Sequence, residues 1–163
     1  MIRLPEIGDE EQQDVWQLSM RYAENYSASQ LRGRSRDEAV EHTFRGLIAE
    51  RCYFRYVGKA AYDACVELQN RDHSRYGPDG LDSDVKSVAA KFGLNFKYRL
   101  LVRPDTLERA AESKRYVLVL VADGECYYAG WSTREELQAT PIWRWGKHAM
   151  RMGEGLHTPD EDA

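Results

Sequence analysis

Asp84 and Lys86 stand two residues apart in Gly77-Pro-Asp-Gly-Leu-Asp-Ser-Asp-Val-Lys-Ser87. On a strand that spacing sends both side chains off one face. Asp79 lies five residues before Asp84, across Gly80, whose freedom in φ permits a reversal that sets Asp79 beside Asp84 from a neighbouring strand. Two carboxylates and a lysine at one point is a costly arrangement, because the like charges repel unless a cation sits between them. A hard divalent cation, Mg²⁺ foremost or Mn²⁺, resolves the conflict, since it prefers oxygen ligands and keeps waters for chemistry. Such a water becomes a nucleophile while the metal stabilises charge developing on a phosphate. Lys86 is then placed to orient or deprotonate that water, or to neutralise the transition state.

Two plainer readings stand beside this one. The stretch is also compatible with an acidic surface turn whose lysine makes an exposed ion pair. A calcium loop is suggested by the alternation of Asp79, Asp82 and Asp84 with small residues. It fails because Lys86 falls inside it and no glutamate closes it. A second carboxylate strengthens the functional reading. Glu50 has Leu47 three residues before it, Phe54 four after and Val57 seven after, so on a helix it points along the apolar face. A carboxylate there is expensive unless it is metal-bound or paired, for instance with an arginine at the core edge.

The elements that must position these groups follow from pattern and punctuation. A helix is expected over about Asp9–Ser27, capped by Asp9, with a semi-apolar face of Val15, Leu18, Ser19, Tyr22 and Tyr26. Residues 29–34, Ser-Gln-Leu-Arg-Gly-Arg, read as a connection. Ser35-Arg-Asp-Glu38 is a capping box opening a helix that runs to about Val57, with Gly58 as a left-handed stop. Residues 59–70 show neither period and are left as strand or short helix. Asn70 to Gly80 is rich in turn formers and reads as loop. Leu81–Val88 is a strand candidate, and Leu94–Arg103 alternates as a strand should. Pro104 opens a short helix to about Ser113. Tyr116–Ala122 is a continuous apolar run, as for a strand buried on both faces. Asp123-Gly124 signals a hairpin turn, and Ser132-Thr-Arg-Glu135 a second capping box after Gly130-Trp131. The order implies an α/β or α+β layout, a mixed central sheet with helices on its faces, in a single domain over residues 1–163.

Bulk properties narrow the possibilities further. A chain of 163 residues, 42% hydrophobic and 31% charged, is long enough to bury its own core. No run of about 18 apolar residues exists to span a membrane. The first residues lack the apolar core of a signal peptide. Three cysteines, Cys52, Cys65 and Cys126, without paired spacing, fit a reducing compartment, so a cytoplasmic location is expected. The net charge of −4 counts against a strongly basic nucleic-acid footprint. Bound cations or basic residues gathered on one face can still reverse the sign locally. His42, His73, His148 and His157 have no zinc-ligand spacing, and no phosphate-binding glycine loop is present. Trp143-Arg144-Trp145-Gly-Lys147, with Arg151, interleaves aromatic and basic groups. It is suited either to stacking on bases or to packing over the sheet with its arginines solvated.

Gly46-Leu-Ile-Ala-Glu50, Pro78-Asp79, Asp84-Val-Lys86-Ser87, Leu100-Leu-Val-Arg103 and Tyr116-Val-Leu-Val-Leu-Val resemble the PD-(D/E)xK nuclease superfamily over about residues 36–137. Gly130-Trp131 recurs in its small, often phage- or prophage-borne members. The resemblance implies a restriction-endonuclease-like core of a helix, three antiparallel strands, a helix and a further strand. Residues 1–34 then form a helical extension and residues 138–163 a C-terminal segment with an acidic tail. It further implies Glu50 as the helix acid, Asp79 and Asp84 as the strand acids, and Lys86 as the lysine. Glu50, Asp79 and Asp84 would hold the metal, DNA would be the substrate, and a homodimer or protein partner is compatible. Asp79 is unusually close to Asp84, so Asp72 and Asp82 compete for its role. The second acid is Asp where Glu is commoner. A non-catalytic DNA- or protein-binding module on the same fold is the rival reading.

Overall fold

A computed structural model describes residues 1–71, 79–80, 82–109 and 113–159. A short strand β1 (Ile2–Arg3) precedes helices α1 (Asp9–Glu24), α2 (Ala28–Leu31), α3 (Arg36–Val57) and α4 (Lys59–Arg71). Then come β2 (Ser83–Ala89), β3 (Arg99–Val102), α5 (Pro104–Arg109), β4 (Arg115–Ala122), β5 (Glu125–Thr133), α6 (Arg134–Gln138) and β6 (His148–Arg151). No helix among the described residues is long and apolar enough to cross a membrane.

The molecule is mixed α/β. Its four-stranded sheet has the order β1-β5-β4-β2, with β2 parallel to β4 and the other pairs antiparallel. β3 stands outside that sheet and pairs with β6 in a separate antiparallel ribbon. Three antiparallel strands in succession, which the resemblance implies, are therefore not found among the described residues. The parallel step arises because the chain between β2 and β4 passes through β3 and α5, a crossover rather than a hairpin.

β4 explains why its apolar run is unbroken. Val117 and Val119 join a cluster with Val15, Leu18, Tyr53 and Phe54 from α1 and α3. Tyr116, Leu118 and Leu120 join a second cluster with Leu100, Leu107, Leu137 and Met150 beneath the ribbon, α5 and α6. The strand is buried on both faces, as its sequence predicts. From the N-terminal residues, Leu4, Ile7, Val15, Leu18 and Tyr22 pack into the first cluster with α3.

Several local expectations need correction. α1 starts after an extended Gly8, not an Asp9 cap, and stops at Glu24. The supposed connection holds α2, capped reciprocally by Ser27 and Gln30. The Ser35–Glu38 box is present as expected. Gly58 ends α3 at φ 151 and ψ 171, outside the left-handed helical region, and its carbonyl accepts Tyr62 N–H at 3.0 Å as α4 begins. Residues 59–71 are helix, with Ala61, Cys65 and Gln69 as the buried stripe. Small and polar residues on that stripe hide the period. The expected loop over 70–80 is helical at Asn70 and Arg71; Asp72 to Pro78, His73 included, lies outside the described residues. Leu94 and Phe96 are exposed, and only Arg99–Val102 is strand. Asn95 there donates to Phe92 and Gly93 carbonyls and accepts from Lys97 N–H, a local turn that outcompetes the strand ladder. The cap of α6 is Thr133, one residue later than expected, accepting from Glu136 N–H at 3.2 Å. Gly130 and Trp131 lie within β5, where a side chain at Gly130 would meet the His157 carbonyl at 2.6 Å. The acidic tail from residue 160 lies outside the described residues.

Candidate active site

α3, the turn at 79–80 and the outer strand β2 bring Glu50, Asp79, Asp84 and Lys86 together. Glu50 is 8% exposed on the apolar face of α3, where helical spacing places it. Its Oε2 accepts from Gln69 Nε2 at 3.1 Å. Gln69, itself buried on α4, also donates to the Leu47 carbonyl and accepts from Arg51 Nε at 2.8 Å. Arg51 is drawn the other way, to Glu11 at 3.1 Å, so the neighbouring arginine serves a different acid.

Asp79 is held by its backbone and its carboxylate at once. Its N–H donates to the Ser83 carbonyl at 2.9 Å, and its Oδ2 accepts from Val85 N–H at 2.7 Å. The carboxylate thus caps an amide on the outer edge of β2, where no further strand pairs among the described residues. Gly80 serves this turn by close approach rather than by φ: a Cβ there would sit 2.9 Å from the Phe54 ring, and its φ is not positive. Val85 packs in the helix-side core, so the alternation of β2 sends Asp84 and Lys86 off the other face. Lys86 Nζ lies 3.0 Å from Asp84 Oδ1. That buried oxygen has the ammonium's charge but no aligned hydrogen bond.

The charges are strongly coupled. Burial, then the Glu50 charge and a hydrogen bond to its carboxyl, push Asp79 up to about 8. Burial raises Asp84 to about 7 against the pull of Lys86, with Asp79 adding repulsion and a hydrogen bond. Two carboxyls bond to one another only by sharing a proton, so the cluster holds protons near neutral pH. Burial alone would lower the Lys86 pKa; attraction by Asp84 and then Asp79 overrides it, and the ammonium is held above its usual range.

Among the rival acids, Asp82 is exposed and engages the chain through its carbonyl, which accepts Lys114 N–H at 2.8 Å; Asp72 lies outside the described residues. Hard oxygen donors and a buried carboxylate oxygen without an aligned donor suit Mg²⁺ or Mn²⁺ chemically. As they stand, the carboxyls bond to one another. Among the described residues no three His, Cys, Asp or Glu side chains are arranged around a common metal position.

Glu50, Asp79 and Lys86 line a cleft of about 430 Å³, together with Tyr22, Tyr26, Arg32, His42, Arg103 and Lys147; Asp84 lies buried beside Lys86 and does not line it. The sequence does not single out Arg32 and gives His42 no role beyond excluding zinc spacing; α1, the α2–α3 connection, α3, the end of β3 and the segment before β6 all contribute to this cleft. Lys147 is the member of the Trp-Arg-Trp-Gly-Lys segment that reaches the cleft. Trp143 instead lies under Arg99, 4.4 Å from its ring centre, and Trp145 is 76% exposed. No family model, curated protein or solved structure matches this chain.

Proposed function

We propose that the chain is a metal-dependent nuclease that hydrolyses phosphodiester bonds in DNA, with a restriction-endonuclease-like site of the PD-(D/E)xK kind. The observation that carries this reading is the meeting of Glu50, Asp79 and Lys86 in one cleft, with Asp84 buried against Lys86. A helix acid, two further acids and a strand lysine are the set that the motif implies. The sheet departs from that family's strand order at the parallel β2–β4 pair, so the site rather than the topology supports the proposal.

Glu50, Asp79 and Asp84 are the residues that would hold Mg²⁺ or Mn²⁺, which supplies charge neutralisation and a water acidified toward neutrality. The chain's own contributions follow from its geometry. In the metal-free protein burial holds Asp79 up at about 8 and Asp84 at about 7, so binding a cation there would release their protons. Lys86 keeps its proton and so stabilises charge on the phosphate rather than acting as the base. The Val85 amide and Gln69 fix the orientations of Asp79 and Glu50.

Incubation of the purified protein with DNA and Mg²⁺ or Mn²⁺ tests this reading. Cleavage is expected from the wild type and not from an Asp84→Ala, Lys86→Ala double variant; equal rates for the two would refute it. The net charge of −4 favours a second reading, a non-catalytic module that binds DNA or a protein. That reading predicts binding with no metal-dependent cleavage.

A further inference from the structure

The cleft is also lined by basic groups, and it adjoins a second cavity of about 480 Å³. The two cavities share Tyr26, Arg32, His42, Thr43 and Arg103; Arg34 lines the second and Lys147 the first. These cations come from the α2–α3 connection, the end of β3 and the segment before β6. Arg32, Arg34 and Lys147 have no carboxylate within ion-pair distance among the described residues. Arg103 meets one, Asp105, at 3.3 Å.

Each of these groups is near enough to disturb the others. Burial, then Arg103 and Arg34, lower the Arg32 pKa, and Asp105 offsets this only in part. Burial, then Arg32 and Arg103, lower that of Lys147. Such crowding is repulsive unless an anion joins it. The backbone is bent to hold it: Arg32 sits in the left-handed region at φ 52 and ψ 44, uncommon for a side-chain-bearing residue, followed by Gly33 at φ 77. His42 is kept neutral, its pKa lowered to about 4 by burial and then by Arg34, Arg45, Arg32 and Lys147. Its Nδ1 accepts from Arg45 Nη2 at 3.0 Å, so in the neutral ring Nε2 carries the hydrogen and is a donor. Forked guanidiniums, an ammonium and an N–H donor around two adjoining cavities that share Arg32, Arg103 and His42 suit a phosphate group.

We propose that Arg32, Arg34, Arg103 and Lys147, with His42 as a further donor, bind a backbone phosphate of the nucleic-acid strand next to the one held at Lys86. The identity of the anion as nucleic acid rests on the nuclease reading; the site itself rests on the basic wall. The acids and the cations then divide the strand between them, one end of the cleft for the reacting phosphate and the other for its neighbour.

Binding of a fluorescent DNA oligonucleotide, followed by anisotropy in EDTA over a series of salt concentrations, tests the site without cleavage. An Arg32→Gln, Arg103→Gln double variant should bind roughly tenfold more weakly, with a salt slope shallower by about two. Lys147→Gln, on a partly exposed lysine, should weaken binding in the same direction and guards against misfolding of the double variant. Lys59→Gln, remote on α4 and paired with Asp63, should bind as wild type does. Wild-type affinity in both cleft variants overturns the proposal, as does a wild-type protein that binds no DNA. Residue-dependent binding without cleavage in Mg²⁺ would sink the nuclease reading and leave this site standing. Cleavage with binding indifferent to Arg32, Arg103 and Lys147 would do the reverse.

Discussion

The two ends of the cleft are built in opposite ways. At the acid end, Glu50 and Asp84 are buried on regular elements, α3 and β2, and Asp79 is tied to the edge of β2 by its own carboxylate. At the basic end, Arg32, Arg103 and Lys147 project from a turn, a strand end and a loop. The acid end is thus positioned to within the tolerance of a strand and a helix, and the basic end is held by charge and adjustable side chains. Chemistry on a bond needs the first kind of precision; holding a flexible strand needs only the second.

That contrast orders the expected effects. Asp84→Asn should lower metal-dependent cleavage by about 10³-fold in a steady-state assay while the protein stays folded. The Arg32→Gln, Arg103→Gln variant should instead raise KM roughly tenfold with kcat little changed, since it removes binding shared by ground and transition states. Equal losses in kcat at both ends would erase the distinction.

The acid end should also oppose stability. Asp79 and Asp84 hold protons up to about 8 and about 7 in the folded protein, against about 3.9 in an unfolded chain. The folded state binds more protons between these values, so metal-free stability falls as pH rises from about 4 to about 8 and levels off above. Asp79→Asn should flatten that fall and raise stability at pH 8 by on the order of 2 kcal/mol, read from denaturant melts, while reducing cleavage. A loss of about 1–3 kcal/mol is expected for Gly80→Ala, whose Cβ would press on the Phe54 ring. Asp82→Ala should change stability by no more than about 0.5 kcal/mol and leave cleavage intact, since its side chain is exposed.

The difference between the ends also governs what could be read from residues alone. Asp84 and Lys86 are legible because period two is a property of any strand, and Glu50 because a carboxylate among Leu47, Phe54 and Val57 breaks an apolar face. β4 announces itself by its apolar run, and the β4–β5 turn by Asp123-Gly124, both with positive φ. The basic wall has no such signature. Arg32, Arg103 and Lys147 lie far apart in the chain and meet only through tertiary packing. α4 was hidden for a related reason: its buried stripe of Ala61, Cys65 and Gln69 is too small and polar to show a period. Its Gln69 nevertheless steadies Glu50, and its Gln69 carbonyl accepts from Tyr22 in the cleft wall. The ribbon of β3 and β6 pairs strands nearly fifty residues apart, beyond the reach of local pattern.

The central claim is that the acid end exchanges its shared protons for a divalent cation. Crystals soaked in Mn²⁺ and measured for anomalous scattering address it directly. The account predicts a peak bounded by Glu50, Asp79 and Asp84, lost in Asp84→Ala. Carboxyls still bonded to one another at saturating Mn²⁺, with no peak between them, would contradict it.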